Sequence, residues 1–305
     1  MDPFATCVAF AESAVRAGAH FLMEARPERV SEGVCVRVSG ALEFRAKTLI
    51  NCAGLGARGV ADLYGGAPFE QNPRRGQFLV YANPSLLGQI LLPIPSKLGK
   101  GVLVAPTVFG QLIAGPTAED LPMESADEAG RTTREGLEFV RHRAQLMLPA
   151  LRSMRPFGQW AGARANCAQG SYLLRYNDGL SGCVTVAGVR STGLSSSFAL
   201  ADALAQGLAA SCGLDLGAAC EPESARDEYP SWFQRPVAGG AGLARGAARE
   251  AAPEPTLCFC EGTTRSDISK ALGSCLRPNS TDAVKRYTRA TMGKCQGKRA
   301  PQRRG

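Results

Sequence analysis

Residues 182–204 read Gly-Cys-Val-Thr-Val-Ala-Gly-Val-Arg-Ser-Thr-Gly-Leu-Ser-Ser-Ser-Phe-Ala-Leu-Ala-Asp-Ala-Leu. This is a short apolar strand, a glycine-rich turn and a helix that opens on serines. A helix start leaves about four backbone N–H groups unpaired and carries roughly half a positive charge. Such a start captures an anion or the electron-rich edge of a cofactor. Gly188 and Gly193 let the backbone approach a ligand where a Cβ would collide, and Arg190 adds a fixed cation. An ordinary βα turn has the same outline and binds nothing. Two further features of the chain favour the binding reading.

The first is Lys47–Gly59, Lys-Thr-Leu-Ile-Asn-Cys-Ala-Gly-Leu-Gly-Ala-Arg-Gly. Gly54, Gly56 and Gly59 match G-x-G-x-x-G after a strand, the pattern of a dinucleotide-binding turn. The spacing argues against that turn. The helix after it is cut short by Gly65-Gly66-Ala67-Pro68, and a parallel crossover needs a dozen or so residues. Glu70 also comes too early to meet a ribose. These glycines instead allow close backbone approach to a ligand held elsewhere.

Around these two turns the chain reads as mixed α/β. Asp2-Pro3 starts a helix that carries Phe4, Val8, Ala11 and Val15 and closes at Gly18. Strands are expected at 20–24, 34–38, 41–45 and 47–52, with Ser39-Gly40 as a hairpin turn. A second strand-rich stretch holds 77–82, 90–94, 101–105 and 111–115, an antiparallel sheet. Thr132-Thr-Arg-Glu135 fits a capping box ahead of a helix with Leu137, Val140, Ala144 and Met147 on one face. Strands return at 157–163, 172–176 and 183–187, with Asp178-Gly179 as a turn. A helix from Ser195 ends near Gly213. Residues 234–255 are rich in Ala, Gly and Pro and read as a linker.

Composition bounds the class. The 305 residues are 45% hydrophobic and 20% charged, as in a globular chain with one large domain or two smaller ones. No apolar run approaches the roughly 18 residues of a membrane span. No basic region precedes an apolar stretch at the N-terminus, so no secretory signal is visible. Eleven cysteines are scattered, several in apolar runs (Cys35, Cys52, Cys183). This favours a reducing, cytoplasmic setting over a disulfide framework. The net charge of +8 is carried by the C-terminal end, with eight basic and no acidic residues from Lys285 on. That end is a solvated tail or a contact with an anionic surface. It lacks the interleaved aromatics of a nucleic-acid binder, so no nucleic acid is expected as a partner, while peripheral membrane contact stays open.

The second feature is an ordered set of short stretches. They are Asp2-Pro-Phe, Ile50-Asn-Cys-Ala-Gly-Leu-Gly, Pro73-Arg-Arg-Gly-Gln-Phe, Gly115-Pro-Thr-Ala-Glu-Asp120, Ala161-Gly-Ala-Arg164 and Ala187-Gly-Val-Arg-Ser-Thr-Gly-Leu194. In this order they resemble the FAD-dependent oxidoreductases of the D-amino-acid oxidase superfamily, in its glycerol-3-phosphate dehydrogenase-like branch. The resemblance implies a partial FAD-binding Rossmann-like domain with a β-meander over 1–70 and 156–213. It implies an antiparallel-sheet substrate domain over 71–155, and then a linker over 214–255. It implies FAD along Ala53, Gly54 and Leu55, and under Arg190, Ser191, Thr192, Gly193, Leu194 and Ser195. Arg164 would meet an anionic substrate group, since a guanidinium pairs bidentately with carboxylate or phosphate. The run Trp160-Ala-Gly-Ala before it reads as buried strand. Gln77 and Thr117 are further candidates for the substrate neighbourhood. The family's opening strand–turn–helix for the ADP half of FAD has no counterpart in the sequence, so the chain is expected to be N-terminally truncated.

Cys258-Phe-Cys260 and Gly293-Lys-Cys295-Gln-Gly297 flank two expected helices, 264–272 and 281–290. This segment, 256–297, resembles the bacterioferritin-associated ferredoxin-like [2Fe–2S] module, followed by a basic tail over 298–305. The resemblance implies Cys258, Cys260 and Cys295 as metal ligands, but the fourth cysteine falls near Ala300, where there is none. Two readings stay open, a cluster and a degenerate module without metal. The two histidines, His20 and His142, are weak catalytic candidates, and no general base is evident.

The function implied is oxidation of a small anionic hydroxy acid, amino acid or glycerol 3-phosphate-like substrate by hydride transfer to FAD. Electrons would pass to an acceptor such as a quinone or redox protein. The alternative, from another class, is an inactive remnant that serves as a binding or scaffold protein.

Overall fold

The computed structural model describes residues 3–39, 42–82, 86–94, 101–107, 109–168, 170, 172–217, 255–293 and 295–297. Most of the expected linker and the whole basic tail lie outside these residues.

Three β-sheets and four main helices form the body, and a two-helix unit follows. Helix α1 (Pro3–Arg16) leads to a meander of strands β1 (Pro27–Ser31), β2 (Cys35–Val38) and β3 (Leu42–Arg45). The strand expected at 20–24 does not form. Phe21, Leu22 and Met23 are about half exposed, Glu24 has φ 56°, and the first strand of the meander starts at Pro27 instead. A run of apolar residues without a neighbouring strand to pair it has no ladder to join.

Strand β4 (Leu49–Asn51) is followed by a turn at Gly54–Gly56 and the short helix α2 (Ala57–Asp62). Its six residues end at Asp62, ahead of the Gly65-Gly66 break.

The largest sheet is antiparallel and centres on β5 (Gln71–Ala82). One edge of β5 pairs over ten residues with β9 (Gly158–Cys167). The other edge pairs with β7 (Gln111–Gly115) and then β8 (Glu119–Asp120), and β6 (Leu103–Pro106) lies outside β7. The expected strand at 90–94 shrinks to one bridge, Leu91 to Val104, because Pro93 has no N–H to extend the ladder. Helix α3 (Arg134–Met147) covers one face of this sheet. Its Val140 and Ala144 join Leu79, Tyr81, Val104 and Leu112 in a closed core. The helix cap is Thr133, whose hydroxyl accepts from the Gly136 amide, one residue after the box read at Thr132. The reason is Gln77, whose side chain holds Thr133 at both its amide and its hydroxyl.

Strands β10 (Leu173–Tyr176) and β11 (Cys183–Ala187) form a hairpin, and β11 then lies parallel to β4. Helix α4 (Gly193–Cys212) follows and ends at Gly213 in the left-handed conformation, as glycine permits. It starts two residues before the expected Ser195. Among the described residues β4 has one strand neighbour, β11. Of the twenty residues of α4 only Leu208 is buried. Cys183 is buried but Cys52 is exposed, so only part of the cysteine set acts as small hydrophobes.

The C-terminal unit comprises β12 (Thr256–Cys258), β13 (Thr263–Thr264), α5 (Arg265–Leu272) and α6 (Thr281–Thr288). Thr264 and Asp267 close a reciprocal capping box on α5. This unit packs on α1: Val8, Ala271 and Tyr287 form one cluster with Leu276 against it. Arg286 sits over the Phe4 ring.

Candidate functional site

Two turns that carry the binding candidates emerge at one edge of the small parallel pair. Leu49 lies opposite Cys183 and Asn51 opposite Thr185. The chain after each strand therefore leaves on the same side, at Ala53–Gly56 and at Gly188–Gly193. In open α/β sheets the carboxyl ends of parallel strands form the ligand crevice. A buried polar chain holds this edge rigid. Asn51 donates to the Ala57 carbonyl (2.8 Å) and to the Tyr64 hydroxyl (3.0 Å), and accepts from the Ala53 amide (3.2 Å). Tyr64 pairs with Thr185 (2.5 Å), and Thr185 donates to Asp178 (2.6 Å). All four of these side chains are buried, and the partners leave no polar group there without a bond.

Ala53 and Gly54 are exposed and Leu55 half-buried. Gly54 has φ 59° and open space where a Cβ would stand, so a ligand can lie directly on its backbone. Gln71 fixes this turn by donating to the Gly54 carbonyl at 2.6 Å. In the second turn the positive φ values belong to Gly188 (71°) and Arg190 (54°), while Gly193 is helical at φ −52°. A long side chain at positive φ is costly by about 1–3 kcal/mol and marks a conformation imposed by its surroundings. Arg190 is anchored there by donating to the Gly170 carbonyl at 2.5 Å. Thr192 and Ser196 both bond the Tyr172 hydroxyl, which lowers that phenol below its ordinary pKa, Ser196 contributing most.

The serines do not offer their hydroxyls outward. Ser195 and Ser196 donate back to the Thr192 carbonyl, and Ser197 to Leu194. Helix α4 has no side-chain cap. Its start therefore presents backbone N–H groups at the edge, together with exposed Ser191 and Thr192 and half-buried Gly193 and Leu194.

Strand β9 joins this edge to the large sheet, touching both the 54–56 turn and the 190–192 turn. Its face away from α3 carries Trp160, Gly162 and Arg164, paired with Phe78, Gly76 and Arg74 of β5. Trp160 stacks on Phe78 with centroids 4.1 Å apart. Trp160 is 47% exposed, so β9 is a half-open strand and not the buried one expected. Gly76 and Gly162 leave a trough between the aromatic stack and the arginines. Arg164 lies in it: a Cβ on Gly76 would stand 2.2 Å from its Nη2.

The charge in this trough is unbalanced. Arg74 forms two 2.6 Å bonds to Asp120, and this contact, ahead of smaller effects, holds the Asp120 carboxyl below its usual range. Arg75 engages Glu119 at 2.8 Å on the opposite face. Arg164 makes one hydrogen bond, to the Thr117 carbonyl at 2.6 Å. Among the described residues no carboxylate lies within ion-pair reach of it. Burial first, then Arg74, lower its pKa from the usual arginine value, and Asp120 partly offsets them. A half-buried guanidinium with unused donors favours an anion as ligand.

Gln77 and Thr117 are brought to this sheet, but not as ligand groups. Gln77 is fully buried on the α3 side. The Thr117 hydroxyl accepts from the Gln77 amide (3.0 Å) and donates to the Arg75 carbonyl (3.3 Å). They place the helix and Arg164. The aromatic stack, the Gly76–Gly162 trough and the Arg74–Asp120 pair were missed in the sequence. The strict alternation Arg74-x-Gly76-x-Phe78 was the signal that put them on one face. His20 and His142 are exposed.

The three cysteines also come together. Cys260 is hydrogen-bonded to Cys295, and Cys258 accepts from the Thr291 amide at 3.3 Å. A [2Fe–2S] cluster needs four protein ligands. Among the described residues no group of three or more Cys, His, Asp or Glu side chains gathers in metal-holding geometry. Cys275 is exposed, beside Tyr287. Among the described residues the donor set does not fit a cluster.

The parallel edge with its open backbone is thus joined through β9 to the antiparallel sheet that holds Arg164. Residues 1–207 match the family model described as FAD dependent oxidoreductase (DAO), and the chain belongs to that family. It is similar to a glycerol 3-phosphate dehydrogenase of Caloramator mitchellensis, 30% identical over 307 residues that cover 97% of this chain and 61% of that protein. It is also similar to a glycerol 3-phosphate oxidase of Mycoplasma pneumoniae, 29% identical over 52% of this chain and 41% of that one. Among solved structures, the FAD-bound L-alpha-glycerophosphate oxidase of M. pneumoniae superposes with TM-score 0.52 at 25% identity, over 60% of this chain and 49% of that one. The L-proline dehydrogenase of P. horikoshii superposes with TM-score 0.60 at 18% identity, over 68% and 55%, and shares the fold. The chain thus spans about two fifths to three fifths of the curated relatives it matches. Among the described residues no helix is long and apolar enough to cross a membrane.

Proposed function

We propose that this chain contributes the flavin-side edge and the substrate sheet of an enzyme that oxidises glycerol 3-phosphate or a closely similar small anion. The observation that carries the reading is Arg164, a half-buried cation without a carboxylate partner in an open trough. The similarity to glycerol 3-phosphate dehydrogenase and oxidase supports a phosphate as its anion. FAD, when bound, accepts the hydride. Ala53, Gly54 and Leu55 hold it by backbone approach, and the 190–195 turn by N–H groups and the Arg190 cation. Arg164 binds and orients the phosphate. The Phe78–Trp160 stack limits water on the other side of the trough. Among the described residues none forms the strand–turn–helix for the ADP half.

The dehydrogenase relative aligns with nearly the whole chain and the oxidase relative with half of it. This supports an acceptor other than oxygen, a quinone or a redox protein. The C-terminal unit we take as ferredoxin-like in descent but without a cluster.

The test is reconstitution with FAD, followed by glycerol 3-phosphate oxidation with a dye acceptor and with oxygen. Yellow protein with dye reduction supports the proposal. Colourless protein that retains its fold favours the binding-protein alternative.

A further inference from the structure

The C-terminal unit carries thiol chemistry that the flavin reading does not use. A loop from Thr291 to Gly297 folds over the start of the unit. Gly293 is pressed against Cys260 so closely that a Cβ would stand 2.5 Å from the Cys260 Cβ. Gly297, with φ 80°, turns the chain just after Cys295. Cys295 is thereby held against Cys260, bonded through both side chain and main chain. Both are partly accessible. The third thiol is parked: Cys258 is engaged by the Thr291 amide. Arg289 braces the loop, pairing with Glu261 at 3.1 Å and lying over the Phe109 ring. Two thiols side by side, with a third occupied and no metal geometry, are the arrangement of a dithiol pair.

We propose that Cys260 and Cys295 form a reversible disulfide, a redox site that takes small-molecule disulfides such as glutathione disulfide. The Cys295 thiolate attacks one sulfur of the incoming disulfide, and one small thiol leaves. Cys260, giving its proton to solvent, then attacks Cys295 Sγ, and the second small thiol leaves. The S–S bond of the reagent breaks, one S–S bond forms in the protein, and two electrons pass to the reagent. Two equivalents of small thiol reverse it. The bond ties the 291–297 loop to β12, beside the α1–α6 contact.

The experiment is thiol mapping of the whole chain, purified anaerobically and equilibrated in buffers of graded glutathione disulfide to glutathione. Alkylation and peptide mass analysis read the links. The expected result is loss of two free thiols in one step, with a Cys260–Cys295 link. The same link is expected in Cys258→Ser and Cys275→Ser, and no intramolecular link in Cys260→Ser or Cys295→Ser. Oxidised wild-type protein is expected to melt at a higher temperature than reduced, a readout that needs no variant. Absence of the link in wild type across the series overturns the proposal. So does a link that uses Cys258 or Cys275, or iron and sulfide at two atoms each per chain in the anaerobic protein.

Discussion

Replacing Arg164 separates ligand binding from folding. The guanidinium has one hydrogen bond to the protein, at the Thr117 carbonyl, and lies directly over Gly76. Hydrogen bonds to a charged partner are worth about 1.5–3 kcal/mol. A lysine keeps the charge but has no fork to hold Thr117 and a phosphate at once. Losing one charge-assisted bond corresponds to about 10- to 150-fold in kcat/KM. Arg164→Lys in FAD-loaded protein is expected to show that loss, with glycerol 3-phosphate as substrate. Arg164→Met tests the fold. Burial and Arg74 disfavour the charge at this position while Asp120 favours it, and one hydrogen bond ties the guanidinium to the protein, so its removal is expected to cost little stability. Its Tm is expected within a few degrees of the parent while turnover collapses. The assay is dye reduction together with thermal unfolding. Unchanged kcat/KM in Arg164→Lys, or a large Tm loss in Arg164→Met, refutes the argument that this cation is kept for a ligand.

Gly76→Ala places a methyl in the space of the Arg164 guanidinium; a flexible side chain gives way, so kcat/KM is expected to fall about tenfold or more with little change in Tm. Asn51→Ala removes a buried donor to the Ala57 carbonyl and to the Tyr64 hydroxyl and is expected to lower stability by about 1–3 kcal/mol, read by urea unfolding. Asp120 has a folded pKa below its ordinary value because of Arg74. Its contribution is present above the usual carboxylate range and is lost as pH falls through the lowered pKa. Asp120→Asn is expected to lower Tm slightly at neutral pH and to converge with the parent in acid, which flattens the acid limb of the Tm–pH curve. Gly193→Val keeps helical φ at a site where an added Cβ would lie 3.3 Å from Val189. It is expected to retain secondary structure and to weaken FAD retention, measured by flavin fluorescence on dilution.

Local signals were legible in the sequence wherever one short-range rule decided the outcome. The short helix at Ala57, the Asp178-Gly179 turn and the end of α4 at Gly213 each depend on glycine within a few residues. The 20–24 strand and the 90–94 strand failed because a strand needs a partner, and pairing is not a local property. The two cofactor turns were legible as turns. Their meeting at one edge depends on β4 and β11 lying side by side, which no spacing within either stretch contains. Gln77 looked like a site residue because it sits in a family motif. Whether an alternating strand puts a given side chain toward α3 or toward the trough depends on which face the helix covers.

The β4–β11 pair has a kinetic meaning. Between Asn51 and Thr185, which lie opposite each other, the sequence runs through the whole antiparallel sheet. Loop closure over such a span is slow relative to the local hairpins. The meander β1–β3 and the β10–β11 hairpin join neighbours in sequence and form early by the same rule. The parallel pair that carries both candidate turns is therefore expected among the last contacts made. A ligand that binds across those turns holds shut the seam that opens first. FAD is accordingly expected to slow unfolding more than it speeds refolding.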